Sequence, residues 1–241
     1  MKFILFVLAI FLYSCQTQIN EKQDLNPGLQ SHQSITGEMH LNYLLYLPVD
    51  YDSEKEGGFP TILFLHGAGE RGDSLDALTT WGPPKIAKEK GLPFIVISPQ
   101  CPKEDWWTSM IYPLKRLLDE SINMYNIDTS RIYLTGLSMG GYGTFALSQV
   151  FPEYFAAAAP ICGGGTPSMV NFKEQVPTWV FHGDQDDIVP IESSQIMVDA
   201  LKASGSEVKF TVYEGGDHYI FRNAYNESDL FDWFLKHKRQ L

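Results

Sequence analysis

Residues 136–140 read GLSMG and place Ser138 between two glycines at the spacing G-x-S-x-G. The apolar stretch 131–135 before them is typical of a strand, and residues 139–150 after them fit a helix. On a sharp turn between a strand and a helix, such a serine exposes its hydroxyl as a nucleophile. The flanking glycines let neighbouring backbone pass without Cβ clashes. The segment therefore predicts nucleophilic catalysis by Ser138.

A serine hydroxyl is a weak nucleophile until a base removes its proton. In proteins with this type of turn, an acid and then a histidine follow the serine along the chain. Two histidines follow the acidic segment 184–187, namely His218 and His237. His218 lies in a loop just after the apolar run 209–213, whereas His237 lies among charges near the C-terminus. We predict that His218 is the base.

The acid that orients this base is expected in residues 182–190, which read HGDQDDIVP and follow the apolar run 178–181. Three aspartates compete for the role, Asp184, Asp186 and Asp187. A shift of one residue changes the direction in which a side chain points. Spacing alone leaves the choice open.

Acyl transfer also needs hydrogen-bond donors for the oxyanion that forms on the attacked carbonyl. One expected donor is the backbone N–H of Met139, which follows the nucleophile. The other is expected in the loop 66–73, which reads HGAGERGD and follows the apolar run 61–65. The Ala68 N–H is our candidate there, and His66 is interpreted as a structural brace of the loop.

The elements that must position these residues alternate along the chain. Strands are predicted at 39–47, which partly alternates, and at 61–65, 94–98, 131–135, 155–161, 178–181 and 209–213. Most of these runs are continuously apolar, as in a parallel sheet covered on both faces. Helices are predicted between or after them at 113–125, 139–150, 192–203 and 229–238. This alternation predicts a doubly wound α/β sheet. The connection 162–177 is too short for a cap domain, so an open site is expected.

Four motifs in order, HGAGERG, GLSMGGYG, HGDQDDIVP and GGDH, resemble the esterase branch of the α/β-hydrolases. That branch holds small carboxylesterases, phospholipase/carboxylesterase-like proteins and feruloyl-esterase-like domains, and the resemblance covers about residues 38–240. It implies an α/β-hydrolase fold with a mostly parallel sheet, flanking helices and no cap. The related dienelactone hydrolases use a cysteine at the position of Ser138, which disfavours their chemistry here.

The resemblance also implies roles for individual residues. Its register assigns the acid to Asp186, with Asp187 as the alternative; Asp184 then braces the loop. Because the family carries an aromatic residue near Trp107, that side chain is expected to contact substrate. Trp81 is a further candidate for substrate binding, as is Trp106, and for both of them core packing is an equal alternative.

Composition limits the remaining possibilities. The chain has 241 residues and a formal net charge of −11, which suits one domain and disfavours nucleic acid as a partner. No metal or cofactor motif is evident, so none is expected. Cys101 and Cys162 follow predicted strands that two others separate, about 14 Å apart at ~4.8 Å per strand. That distance exceeds disulfide reach, so free thiols are expected.

The N-terminus has the features of an export signal. Residues 1–14 combine one lysine with a short apolar run, and Cys15 follows as in a bacterial lipobox. We expect a signal peptide over 1–14, lipidation of Cys15, a flexible tether over 15–33 and a catalytic domain over 34–241. The protein is then exported and anchored to a membrane through the lipid, on the periplasmic face or at the cell surface.

Together these features predict a serine esterase that works through an acyl-enzyme. The expected substrates are small or polymer-borne esters with short acyl or hydroxycinnamoyl groups. Two alternatives stay open, a serine peptidase of the oligopeptidase type and a tethered binding protein that has lost activity.

Overall fold

A computed structural model describes residues 25–35, 40–226 and 229–240. Its strands are β1 Gln30–Ile35, β2 Leu41–Tyr46, β3 Phe59–Leu65, β4 Ile95–Pro99, β5 Ile127–Leu137, β6 Ala157–Ile161, β7 Thr178–Gly183 and β8 Val208–Tyr213. They form one sheet in the order β1-β2-β4-β3-β5-β6-β7-β8. The pairs β1–β2 and β2–β4 are antiparallel, and every other pair is parallel. This confirms the predicted, mostly parallel sheet.

Helices cover both faces of the sheet. They are α1 Gly82–Lys90, α2 Ile111–Met124, α3 Met139–Val150, α4 Glu192–Ala203, α5 Phe221–Asn226 and α6 Leu230–Lys236. Apolar residues of α2 and α3 pack on one face, and those of α1, α5 and α6 pack on the other. The doubly wound arrangement is therefore confirmed.

Strand β3 shows why the apolar runs are continuous. Side chains alternate between the two faces of a sheet. Leu63 and Leu65 lie in the core beneath α2 and α3, while Ile62 and Phe64 lie in the core beneath α1 and α5. Because helices cover both faces, most positions of such a strand are apolar, with Thr61 as the polar exception in β3.

The structure corrects the predicted start of the domain. Strand β1 falls partly within the predicted tether 15–33 and pairs with β2 from Gln30 opposite Tyr46 to Ile35 opposite Leu41. The ordered domain thus begins at or before residue 30 rather than at 34. The predicted signal peptide and Cys15 lie outside the described residues. Helices α1 and α5 were also not predicted.

Two other expectations are confirmed. Between β6 and β7 the chain forms a single 3-10 turn, Pro167–Met169, so no cap domain is inserted there. Cys101 and Cys162 are both buried free thiols. Across the described ranges, no helix has the length and apolar content needed to cross a bilayer.

Candidate active site

Ser138 occupies a strained turn between β5 and α3. Its backbone has φ 54° and ψ −117°, a conformation that non-glycine residues rarely adopt and that costs about 1–3 kcal/mol. The Ser138 N–H donates to the Ile161 carbonyl over 2.9 Å, which ties the turn to the end of β6. The surrounding sheet therefore holds the nucleophile in its exposed position.

The glycines of the motif are required by close backbone contacts. A Cβ on Gly140 would lie 1.9 Å from the Leu65 carbonyl oxygen, and one on Gly136 would lie 2.4 Å from the Gly140 oxygen. Neither distance leaves room for a side chain. The start of α3 is thus pressed against the end of β3, which brings the loop after β3 beside Ser138.

Three of the predicted residues form a continuous hydrogen-bonded chain. His218 Nε2 lies 2.9 Å from Ser138 Oγ, and His218 Nδ1 lies 2.7 Å from Asp186 Oδ2. An ionised carboxylate only accepts hydrogen bonds, so Nδ1 carries the proton and Nε2 accepts from the serine hydroxyl. This is the tautomer that a general base needs.

Asp186 is fixed from several sides. Its side chain is fully buried, and Oδ1 accepts from the backbone N–H groups of Ile188 at 2.9 Å and Val189 at 2.8 Å. Asp187, the alternative acid, is exposed to solvent. Asp184 Oδ1 accepts from the Gly215 N–H over 2.7 Å and so braces the loop before His218, as expected. The geometry agrees with the choice of Asp186.

A second histidine also contacts the acid, and the sequence alone did not identify it. His182, near the end of β7, places Nε2 3.2 Å from Asp186 Oδ2 and 2.8 Å from the Val189 carbonyl. Its Nδ1 lies 2.7 Å from Ser194 Oγ. Burial lowers the pKa of His182, so the ring is neutral near pH 7. Since both neighbours of Nε2 are acceptors, that nitrogen carries the proton; it donates to the Val189 carbonyl, and Asp186 Oδ2 lies 3.2 Å from the same N–H group.

The two predicted oxyanion donors lie at equivalent positions. Met139 is the first residue of α3, and Ala68 is the first residue of the 3-10 turn Ala68–Glu70 after β3. The N–H of a first helical residue has no acceptor within its own helix. Because β3 and β5 are parallel neighbours, both N–H groups lie at the same edge of the sheet as Ser138. The predicted roles are therefore compatible with the fold.

His66 braces the loop that holds Ala68. Its Nε2 accepts from the Cys101 N–H over 3.0 Å, and Nδ1 lies 2.6 Å from the Gly67 carbonyl. Burial lowers the pKa of His66 to about 4. The neutral, fully engaged ring fits the predicted structural role.

The structure corrects the prediction for Trp107. The side chain has no exposed surface, and its Nε1 donates to the His66 carbonyl over 2.9 Å. It also packs so tightly on Gly143 that a Cβ there would lie 2.5 Å from the Trp107 Cβ. Trp107 therefore belongs to the core and cannot contact substrate. Trp106 is half exposed, with the Arg71 guanidinium 4.7 Å from its ring.

Trp81 is connected to the base through one aromatic ring. Its ring lies edge-on to Phe221 at 5.3 Å, and Phe221 lies edge-on to His218 at 6.4 Å. The Trp81 side chain is partly exposed. Trp81 therefore remains a candidate substrate-binding residue, whereas Trp107 does not.

One group of potential metal ligands occurs within the described ranges, and it overlaps the triad. Ligand atoms of Cys162, Asp186 and His218 lie within 4.8 Å of one another. The Cys162 thiol donates to the His218 carbonyl at 3.3 Å, and burial raises its pKa well above the ordinary value. The thiol therefore stays protonated at neutral pH, which disfavours metal binding there.

Comparison with known proteins places this site in a family. Residues 105–231 match the model of the dienelactone hydrolase family. Acetylxylan esterase A from Emericella nidulans is 26% identical over 92% of this chain and 76% of its own length. A bifunctional acetylxylan esterase/xylanase from Neocallimastix patriciarum is 32% identical over 54% of this chain, which spans only 20% of that relative.

Solved structures agree on the fold. The crystal structure of a thermostable esterase superposes with a TM-score of 0.79 at 32% identity, over 87% of this chain and 63% of that one. A mutant feruloyl esterase module from Clostridium thermocellum, complexed with sinapinate, gives a TM-score of 0.62 at 18% identity, over 82% of this chain and 88% of that one. With the family match spanning more than half of its residues, the chain belongs to the dienelactone hydrolase family, has the α/β-hydrolase fold and carries the complete triad of a serine hydrolase.

Proposed function

We propose that this protein is a carboxylic-ester hydrolase that works through an acyl-enzyme and acts on short acyl or hydroxycinnamoyl esters. The observation that carries the proposal is the unbroken hydrogen-bonded chain from Asp186 through His218 to Ser138. The names of its relatives, acetylxylan esterases among them, support an ester as the substrate class.

In the proposed reaction each site residue has one role. Ser138 Oγ attacks the ester carbonyl while His218 Nε2 takes its proton, and Asp186 stabilises the imidazolium that forms. The N–H groups of Met139 and Ala68 hold the oxyanion of the tetrahedral intermediate. The intermediate collapses when His218 returns the proton to the leaving alkoxide. Water, activated by the same imidazole, then releases the acid and restores Ser138.

The open site supports the proposal that the substrate ester has a small acyl group and can have a large alcohol half. The short connection between β6 and β7 supplies no lid or enclosed tunnel for a long acyl chain. An uncovered serine can instead reach an ester that is attached to a polymer. The relatives named for acetylxylan and the feruloyl esterase module are consistent with such substrates.

A substrate panel with the Ser138→Ala variant tests the activity. We expect wild type to react with a fluorophosphonate probe and to hydrolyse p-nitrophenyl acetate, methyl ferulate or acetylated xylan. Ser138→Ala should lose about 10⁴-fold or more in kcat. Ser148→Ala, on the helix α3 that follows Ser138, is the matched control and should stay active.

Four results would contradict the proposal. Activity of Ser138→Ala near that of wild type would remove the nucleophile assignment. A kcat/KM that rises steadily to C12 esters would favour a lipase. Cleavage of peptide substrates alone would favour a peptidase, and a protein that neither labels nor turns over would favour a binding role.

We further propose that the protein is exported and anchored through lipidation of Cys15. The supporting features are the lysine and apolar run of residues 1–14 and the cysteine that follows them. Wild type should fractionate with membranes, and Cys15→Ala should either appear in the soluble fraction or accumulate unprocessed. A wild-type protein found entirely in the soluble fraction would contradict this proposal.

A further inference from the structure

A surface cavity of about 380 Å³ adjoins the aromatic residues around the base. We call it the Trp81 pocket; its lining includes Trp81, Lys85, Phe221, Arg222, Tyr225 and Asn226. The triad does not use these residues.

Two cations line the pocket and are held by aromatic rings. Lys85 Nζ lies 4.8 Å from the centre of the Trp81 ring, and the Arg222 guanidinium lies 4.6 Å from the same ring. The guanidinium also lies 5.3 Å from the ring of Tyr219. Such contacts position a cation at a defined place while leaving its charge available.

Neither cation is neutralised by an ion pair within the described residues. No carboxylate of the described residues lies within salt-bridge distance of Lys85 or Arg222. Both side chains are exposed to solvent. In a chain of net charge −11, two adjacent unpaired cations mark a local site for an anion.

The pocket lies close to the catalytic base. The Tyr219 ring lies 6.2 Å from the His218 ring and 5.3 Å from the Arg222 guanidinium, so one ring contacts both the imidazole and the cation. Phe221 makes a similar connection between His218 and Trp81. A group bound in the pocket can therefore belong to the molecule that reacts at Ser138.

The chemistry indicates which half of the substrate this is. His218 Nε2 must return its proton to the leaving oxygen, so the alcohol half of the ester lies against the imidazole. Phe221, whose ring contacts that imidazole, lines the Trp81 pocket, and Tyr219, whose ring also contacts it, touches Arg222. The alcohol half, and not the acyl half, therefore extends towards the two cations.

We propose that the Trp81 pocket binds a carboxylate on the alcohol half of the substrate, through Lys85 and Arg222. The preferred substrates are thus acyl esters of an acidic alcohol, either small or part of an acidic polymer. The guanidinium can hold a carboxylate with two parallel hydrogen bonds, and Lys85 adds a point charge. This inference rests on the proposed esterase function and specifies its substrate.

The test uses two matched pairs of esters. In the first pair the charge is on the leaving half, 4-acetoxybenzoate against its methyl ester. In the second it is on the acyl half, 4-nitrophenyl hydrogen succinate against 4-nitrophenyl butyrate. Lys85→Gln and Arg222→Gln should each lower kcat/KM for 4-acetoxybenzoate by about tenfold, mainly through KM. The neutral ester and the second pair should change less than about twofold.

Control variants separate charge from structure. Lys88→Gln lies on the same helix outside the pocket and should leave both pairs unchanged, whereas Arg222→Lys should recover part of the loss. An acetylated polyuronate compared with an acetylated neutral glucan tells whether the acidic alcohol can be polymeric. Added salt should reduce the preference of wild type for the charged ester.

A binding measurement keeps the proposal independent of turnover. Calorimetry on Ser138→Ala should show tighter binding of 4-hydroxybenzoate than of its methyl ester, and the difference should vanish with Arg222→Gln. Equal losses on charged and neutral esters, or a charge effect confined to the succinate pair, would overturn the pocket assignment. Failure of wild type on every ester would instead overturn the esterase function, and the calorimetry would then decide the pocket alone.

Discussion

Two histidines contact the same oxygen of Asp186, and only one of them can act as a base. His218 lies 2.7 Å from Oδ2 and directs its other nitrogen to Ser138. His182 lies 3.2 Å from that oxygen and directs its other nitrogen to Ser194 Oγ. The residue type and the acidic partner are identical. The two histidines differ in the partner of the second ring nitrogen. In His218 it faces the partly exposed nucleophile Ser138, and in His182 it faces the buried hydroxyl of Ser194.

The burial of His182 explains why it has a different role from His218. The His182 side chain is fully buried, and Ser194 Oγ in turn lies 2.7 Å from the Gly163 carbonyl. Such a ring cannot exchange protons with substrate, but it can fix the position of the carboxylate that orients the catalytic ring. Asp186 thus acts on one histidine while the other holds it in place.

The largest expected effect comes from the shared carboxylate. Asp186→Asn should lower kcat by about 10⁴-fold, because an amide favours the wrong tautomer of His218. Asp187→Asn and Asp184→Asn are matched controls and should stay within about tenfold of wild type. In Asp184→Asn the amide oxygen can still accept from Gly215. A greater loss at Asp187 than at Asp186 in steady-state assays would move the acid by one residue.

Substitution of the buried His182 should have an intermediate effect on kcat. His182→Leu removes the N–H that donates to the Val189 carbonyl and lies 3.2 Å from Asp186, and a small displacement of that carboxylate should cost about 10- to 100-fold in kcat. KM should change little because His182 does not contact substrate. His182→Gln retains an N–H donor and should recover most of the rate. A purely structural role predicts a loss of stability with equal kinetics in the folded fraction of both variants, and that result would contradict a positioning role.

The smallest effect concerns stability against pH. Burial lowers the pKa of His66 to about 4, below the ~6.5 of an unfolded histidine. The unfolded state therefore binds the proton more readily, and stability present above pH 6.5 is lost as the pH falls towards 4. For His66 the loss should reach about 3 kcal/mol. The lowered pKa of His182 acts in the same direction.

Urea unfolding between pH 7 and pH 4.5 measures this loss. His66→Gln should flatten the pH dependence, whereas the surface variant His40→Gln should leave it unchanged. Glu70, 4.0 Å from His66 Nδ1, has its pKa raised by burial and acts in the opposite direction, so only the difference between variant and wild type isolates the histidine. Equal slopes in wild type and His66→Gln would contradict the prediction.

The triad could be predicted from the sequence because its chemistry depends on local motifs. Ser138 lies in a five-residue turn with a required geometry, and His218 follows from chain order. The positioning role of His182 could not be predicted in the same way. The histidine and Val189 both belong to the HGDQDDIVP motif, but the contact with Ser194 depends on the packing of α4, which the motif does not show.

The errors have physical reasons as well. Strand β1 reads QSHQSI and lacks an apolar run, because as an edge strand it buries few of its side chains. Trp107 lies in a loop after β4, where a tryptophan suggests a ligand site. Its indole N–H instead finds the His66 carbonyl, and its ring fills space that Gly143 leaves free. Neither partner is near it in the sequence.

The predicted oxyanion donors are main-chain amides at the starts of two helical turns. Most amino-acid substitutions at these positions therefore leave the donors unchanged. Replacing the side chain of Ala68 or Met139 leaves the N–H in place. Proline is the one standard residue that removes a backbone N–H. Substitutions such as Met139→Ala and Ala68→Ser would therefore report both positions as dispensable for chemistry, and both side chains could change in evolution without loss of the amides proposed to stabilise the transition state.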